Sequence, residues 1–297
     1  MQIELETPEA AARRYSLGEL LVAARERGFH PTKRMLTDWV AIGLIDKGAD
    51  RGRGKGAGKE YSWSYEQLRL FLSLLEQAPK VKRSTLLHMP VLLWLIWGDA
   101  FVPLRQVRRA MSSWLGVRGR SGIGAARKTA REVLRHLDHP DAAREDRQRL
   151  VELVAQSAYR ADVDRAELLA VAERIFNPHG QDLSDSRAPM TPDNYVRVLD
   201  ARLHAMAEIE NLPDELFIEA RLAYQATGPS GDLTRAALNQ DARLTMPGPQ
   251  LTALNRAGNF ACLDLLTLLG LLDRTPDRLP LDRRPSWPAP KGHRLKR

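Results

Sequence analysis

Apolar residues recur at helical spacing along almost the whole 297-residue chain, and this periodicity limits the fold more than any single motif does. It predicts helices over 16–27, 32–43, 64–77, 85–97, 103–115, 125–137, 145–160, 164–176, 192–210, 213–226, 232–243 and 258–272. Between them stand residues that end helices, among them Gly28, Gly43, Pro79, Pro103, Gly116, Pro140, Pro189 and Pro213. The strand candidates are short, around 44–47 and 59–63, and they flank the stretch from Gly48 to Gly58. The expectation is a mainly α protein with one small β element near its N-terminus.

Charge divides the chain. Residues 13–83 hold 15 Lys and Arg against 8 Asp and Glu, and residues 105–135 hold 9 against 1. Residues 136–275 reverse the sign, with 14 against 22. Clustered cations attract polyanions because neutralised phosphates release condensed counterions. The acidic stretch argues against uniform coating of nucleic acid and offers an internal docking surface for the second basic region. The single cysteine, Cys262, excludes an intramolecular disulfide and a thiolate zinc cluster, and its apolar neighbours predict a buried side chain. The start of the chain lacks the pattern of a secretory signal, and the apolar run Pro90 to Trp97 is too short for a bilayer, which needs about 20 residues. These features predict a cytoplasmic, nucleoid-associated protein with no membrane partner.

Three pieces near the N-terminus carry the functional expectation. Ser16, with Glu19 three residues later, forms a capping box at the start of a helix. After the Gly28 turn, Met35, Leu36, Trp39 and Ile42 make an apolar face that leaves Lys33, Arg34 and Thr37 exposed at the helix start. That end of a recognition helix reaches base edges in the major groove. The segment from Asp50 to Lys59 is rich in glycine and cations, and it lies between the two short strands as a wing would. In it, Arg51, Arg53, Lys55 and Lys59 are candidate DNA contacts, and Tyr61 can both pack and donate to a phosphate. Trp39 and Trp63 read as core, and Trp94, Trp97 and Trp114 as core of a following domain.

Residues 15–75 resemble the DNA-binding domain of the MerR family of bacterial regulators. The likeness runs through Tyr15-Ser16-Leu17-Gly18-Glu19-Leu20, Leu36, Trp39, Gly43-Leu44-Ile45, Lys59-Glu60-Tyr61, Glu66-Gln67-Leu68 and Phe71. It implies a winged helix-turn-helix, DNA contacts that include Ser16, and a homodimer. Thr37 stands where the family places arginine after the leucine, which passes the phosphate contact to Lys33 or Arg34 or removes it.

Other signals carry less. The glycine loop is not a Walker loop, because Arg53 and Glu60 stand where glycine and a magnesium-binding hydroxyl belong. The glycine-rich turn 116–124, feeding a basic helix, suggests a second phosphate contact through Arg118, Arg120 and Lys128. His139-Pro140-Asp141 matches the tripeptide of J-domain co-chaperones, but Arg131, His136 and Asp138 then fall at core positions, so a proline-terminated helix explains it better. His136, Asp138, His139 and Asp141 make a weak metal set, two histidines three apart at a fraying helix end with no third ligand nearby, so no metal is expected. No catalytic set or cofactor motif stands out, and the expectation is a protein that is not an enzyme.

The sequence therefore predicts a winged helix-turn-helix over 13–80, an all-α domain over 84–275 for oligomerisation, sensing or partner binding, and a basic, proline-rich tail over 276–297. The leading expectation is sequence-specific binding of double-stranded DNA in transcriptional control, by a homodimer whose helical domain meets a protein partner or a small-molecule effector. The alternatives are a plasmid or phage protein of partition, replication or DNA organisation, and an adaptor whose helical domain docks a protein.

Overall fold

A computed structural model describes residues 13–50, 61–119, 123–135, 138–160, 162–180, 191–227 and 260–274. The wing segment 51–60, the helix expected over 232–243 and the tail lie outside the described residues.

Regular structure forms where the capping box is expected. The Ser16 hydroxyl accepts from the Glu19 N–H at 3.3 Å, and the Glu19 carboxylate accepts from the Ser16 N–H at 2.7 Å. This satisfies two backbone donors that helix α1 (Leu17–Glu26) would otherwise leave open. Helix α2 (Lys33–Ala41) is capped by Thr32, whose hydroxyl accepts from the Met35 N–H at 3.1 Å. Helix α3 (Tyr65–Gln77) is capped in the same way by Ser64. Strands β1 (Tyr15–Ser16), β2 (Ala49–Asp50) and β3 (Tyr61–Trp63) make an antiparallel sheet in the order β1-β3-β2. Tyr15 lies opposite Trp63, and Asp50 opposite Tyr61.

The expected strand 44–47 is displaced to Ala49–Asp50. Between them, side chains do the work of a ladder. Gln106 donates to the Leu44 carbonyl, Gln67 accepts from the Asp46 N–H, and the Trp63 indole donates to the Asp46 carbonyl. With those backbone groups satisfied, burial of Leu44 and Ile45 needs no strand partner.

Nine further α-helices and one 3-10 turn (Gly98–Ala100) complete the described chain: α4 (Arg83–Leu86), α5 (His88–Trp97), α6 (Leu104–Gly119), α7 (Ile123–Leu134), α8 (Arg144–Arg160), α9 (Arg165–Phe176), α10 (Pro192–Glu208), α11 (Asp214–Thr227) and α12 (Ala261–Asp273). The helix expected over 85–97 is interrupted at Leu87. Pro90 has no N–H to continue the ladder from α4, so it sits in the first turn of a new helix, where none is needed. The break expected at Gly116 is absent, and α6 continues to Gly119.

The protein is mainly α, and its described residues form two apolar clusters. One joins Leu20, Trp39 and Phe71 to Trp94, Trp114, Phe217 and Leu265, so the N-terminal unit shares its core with α5, α6, α11 and α12. The other is built from α7 to α10 around Leu134, Leu150, Leu168, Phe176 and Val196. Helix α10 contributes Val196 to the second cluster and Ala205 to the first. Trp39, Trp63, Trp94 and Trp114 are buried, whereas Trp97 is half-buried beside Phe101, with ring centroids 5.1 Å apart. Cys262 is fully buried. Among the described residues, no helix is long and apolar enough to cross a membrane.

Candidate nucleic-acid interface

Helix α2 is fixed from its inner face. Leu36 and Trp39 are buried, and Trp39 packs edge-on against Phe71 at 5.8 Å. The outer face follows from the 3.6-residue repeat. Lys33, Arg34 and Thr37 are all exposed, and neither cation has an ion-pair partner among the described residues. The Thr37 hydroxyl donates to the Lys33 carbonyl at 3.0 Å, which turns it back along the helix. Arg25 and Arg27 at the end of α1 are exposed as well.

The far end of α2 is held by the helical body. Gly43 follows the helix at φ +81°, and a Cβ there would overlap the backbone of Ala110 in α6. Only glycine permits both this left-handed conformation and this approach. Arg109 donates to the Val40 carbonyl at 3.2 Å, satisfying a carbonyl at the end of α2. A chain of amides then links the corner to α6: the Asp46 N–H donates to Gln67, Gln67 donates to Gln106, and Gln106 donates to the Leu44 carbonyl, each at 2.9 Å. Gln67 also donates to the Phe101 carbonyl at 2.9 Å. Arg105 Nε donates to Asp46 Oδ1 at 2.9 Å. Burial alone would raise the Asp46 carboxyl, but Arg105 and the N–H groups of Lys47 and Gly48 hold it below the usual range. The exposed start of α2 therefore projects from a rigid mount.

Ser16 is engaged elsewhere: its hydroxyl accepts from the Glu19 N–H and donates to the Glu19 carboxylate, which leaves it a capping residue. The Ser16 N–H, with Arg13 and the Ser16 hydroxyl, holds Glu19 down to about 2. Tyr61 is half-buried, and the Lys47 ammonium stands over its ring at 5.6 Å. Lys47 is exposed and was missed from the sequence, where one lysine between a turn and a glycine carries no periodic signal. Arg51, Arg53, Lys55 and Lys59 lie outside the described residues.

The second basic region has two fates. Part of it docks inside the chain. Arg105 bonds Asp46, Arg108 bonds Asp214 and the Ile209 and Leu212 carbonyls, and Arg109 bonds Val40. Arg108 also lies over the Phe217 ring at 4.2 Å. Arg127 makes a two-pronged bond with Glu152, at 2.7 and 2.8 Å, which holds that carboxyl down to about 2.

Arg131 and Arg135 of this region line a cleft of about 530 Å³ between α7 and α8. Arg127, Arg131, Arg135, Arg144 and Arg147 line it, against Asp138 and Glu152. Both acids are taken, by Arg147 and Arg127. Arg131, Arg135 and Arg144 are exposed, without ion-pair partners among the described residues. The spacing of Arg127, Arg131 and Arg135 is i, i+4, i+8, which places them on one helix face and was legible in the sequence. Of the residues singled out there, Lys128 is exposed on α7, Arg118 falls in α6, and Arg120 lies outside the described residues.

No protein-family model, curated protein or solved structure matches the chain.

Proposed function

We propose that this chain binds double-stranded DNA, with α1 and α2 as a helix-turn-helix, the β2–β3 hairpin as its wing, and a relation to the MerR type of domain. The observation that carries the reading is helix α2 itself: its inner face is locked into the core, while Lys33, Arg34 and Thr37 stand exposed at its start. A helix mounted in this way offers side chains of fixed position to base edges, and bidentate contacts from arginine or lysine discriminate bases by about 1–3 kcal/mol. Sequence-specific binding in transcriptional control, by a homodimer, is the function this supports best.

The test is fluorescence anisotropy on duplexes recovered by genome-wide footprinting. Lys33→Ala and Arg34→Ala should lower affinity for the recovered site more than for random duplex, by roughly 10-fold or more at each base contact. Equal affinity of both variants and the parent for the recovered site would remove α2 as the reading helix.

The arginine cleft between α7 and α8 supports a second, sequence-independent phosphate contact, in which Arg131 and Arg135 add backbone binding, with Lys128 exposed on the same helix. Within DNA binding it favours a protein that holds more than one DNA segment, as partition and DNA-organising proteins do. Footprints at iterated sites, rather than at one inverted repeat, distinguish that role.

A further inference from the structure

His139 and Asp141 lie in the loop between α7 and α8, and His179 follows α9, 38 residues beyond Asp141. The fold brings one ligand atom from each to within 4.8 Å of the others. His179 Nε2 is 3.0 Å from Asp141 Oδ2, and His139 Nδ1 is 3.8 Å from the same oxygen. A tetrahedral ion with bonds of about 2.0–2.1 Å spaces its ligands roughly 3.3 Å apart, so the two distances bracket what such an ion requires.

The backbone holds this arrangement. The His139 N–H donates to the Ile175 carbonyl at 3.1 Å, which ties the loop to the end of α9. Arg147 donates to the His139 and Pro140 carbonyls at 2.6 and 2.9 Å and to Asp138 at 2.7 Å, fixing the loop from α8. The Gly180 N–H donates to the Asn177 carbonyl at 3.1 Å, closing the turn that carries His179. The His139 ring is largely buried, whereas Asp141 and His179 are 61% and 48% exposed, which leaves one side of the cluster open to solvent.

We propose that His139, Asp141 and His179 bind Zn²⁺, with water in the remaining position. Two imidazoles and a carboxylate suit this ion, and thiolate ligation is excluded because Cys262, the single cysteine, is buried in the other apolar cluster. The Asp141 N–H donates to His139 Nδ1 at 3.2 Å, and an ion taking that nitrogen replaces this hydrogen bond. The bound ion cross-links the α7–α8 loop to the end of α9, beside the arginine cleft. The inference is independent of the DNA-binding reading.

Calorimetric titration of the untagged, chelator-treated full chain with Zn²⁺ tests it, with Co²⁺ as a spectroscopic probe. One equivalent of Zn²⁺ should bind and raise the melting temperature, since an ion bound only by the native state stabilises it. Co²⁺ should show the visible absorption of a four- or five-coordinate site. His179→Ala and Asp141→Asn alter exposed side chains, so both should keep the parent's circular dichroism. Each should weaken Zn²⁺ binding at least ~10-fold. His30→Ala, exposed in the N-terminal unit, should bind as the parent does. No binding near one equivalent, or parental affinity in both ligand variants, overturns the proposal and leaves an ordinary histidine–aspartate pair.

Discussion

Replacing Gln67 by leucine keeps the volume of the side chain and removes every polar atom at the join between the N-terminal unit and α6. Gln67 is 4% exposed and makes three hydrogen bonds, accepting from the Asp46 N–H and donating to the Phe101 carbonyl and the Gln106 side chain. All three groups lose a partner. Gln106 cannot repair the loss by flipping its amide, because its nitrogen already serves the Leu44 carbonyl. Leaving a buried group unsatisfied costs about 1–3 kcal/mol, so three cost roughly 3–9 kcal/mol. Burying the apolar leucine returns about 1.5–2 kcal/mol, for a net loss of roughly 1–7 kcal/mol. Urea unfolding followed by tryptophan fluorescence measures this directly, because the Trp63 indole donates to the same Asp46 backbone at 2.8 Å. The midpoint should fall without a change in slope. Gln67→Leu combined with Gln106→Leu should cost less than the sum of the two, since their shared bond is lost once. A Gln67→Leu protein within about 0.5 kcal/mol of the parent would refute the claim that this amide chain is a buried, water-excluded join.

Gly270 of α12 crosses α10 where a Cβ would overlap the Ala201 carbonyl, so Gly270→Ala should cost about 3 kcal/mol; Gly116→Ala, with nothing near its Cβ, should gain about 0.5–1 kcal/mol, both read from urea unfolding. Burial pushes the Asp264 carboxyl up to about 6, with Arg202 opposing, so the charged form destabilises the fold above that pH. Asp264→Asn should therefore add roughly 3 kcal/mol at pH 8 and nothing below about pH 4, and an equal gain at both would refute the assignment. Glu19 and Glu152 are held down to about 2 and Asp46 below its usual range, so their ion pairs help above pH 4.5 and are lost as pH falls toward 2; a thermal melt flat across that window contradicts this. Arg131→Ala with Arg135→Ala should weaken binding of long duplexes and lower the salt slope by about 0.9 per lost phosphate contact, with the melting temperature unchanged. Arg108→Ala should lower the melting temperature, because that arginine bonds Asp214 and two backbone carbonyls.

Local chemistry was legible in the sequence wherever neighbours along the chain decide it. The 3.6-residue repeat located every described helix to within a few residues, apart from the split at Leu87 and the continuation through Gly116. Ser16 with Glu19 announced a capping box, and the pattern around Leu36 and Trp39 assigned the two faces of α2. What the sequence could not decide is which charges meet. Lys33 and Arg105 look alike in a list of cations, yet one is exposed at a helix start and the other is bonded to Asp46. The displaced strand has the same origin, because Gln67, Trp63 and Gln106 reach it from 17 to 62 residues away. His179 joins His139 and Asp141 only because α9 ends beside the loop that follows α7. Helix formation depends on residues three or four apart, which the sequence displays, whereas pairing of charges and ligands depends on how helices stack. Only the tertiary structure sets that.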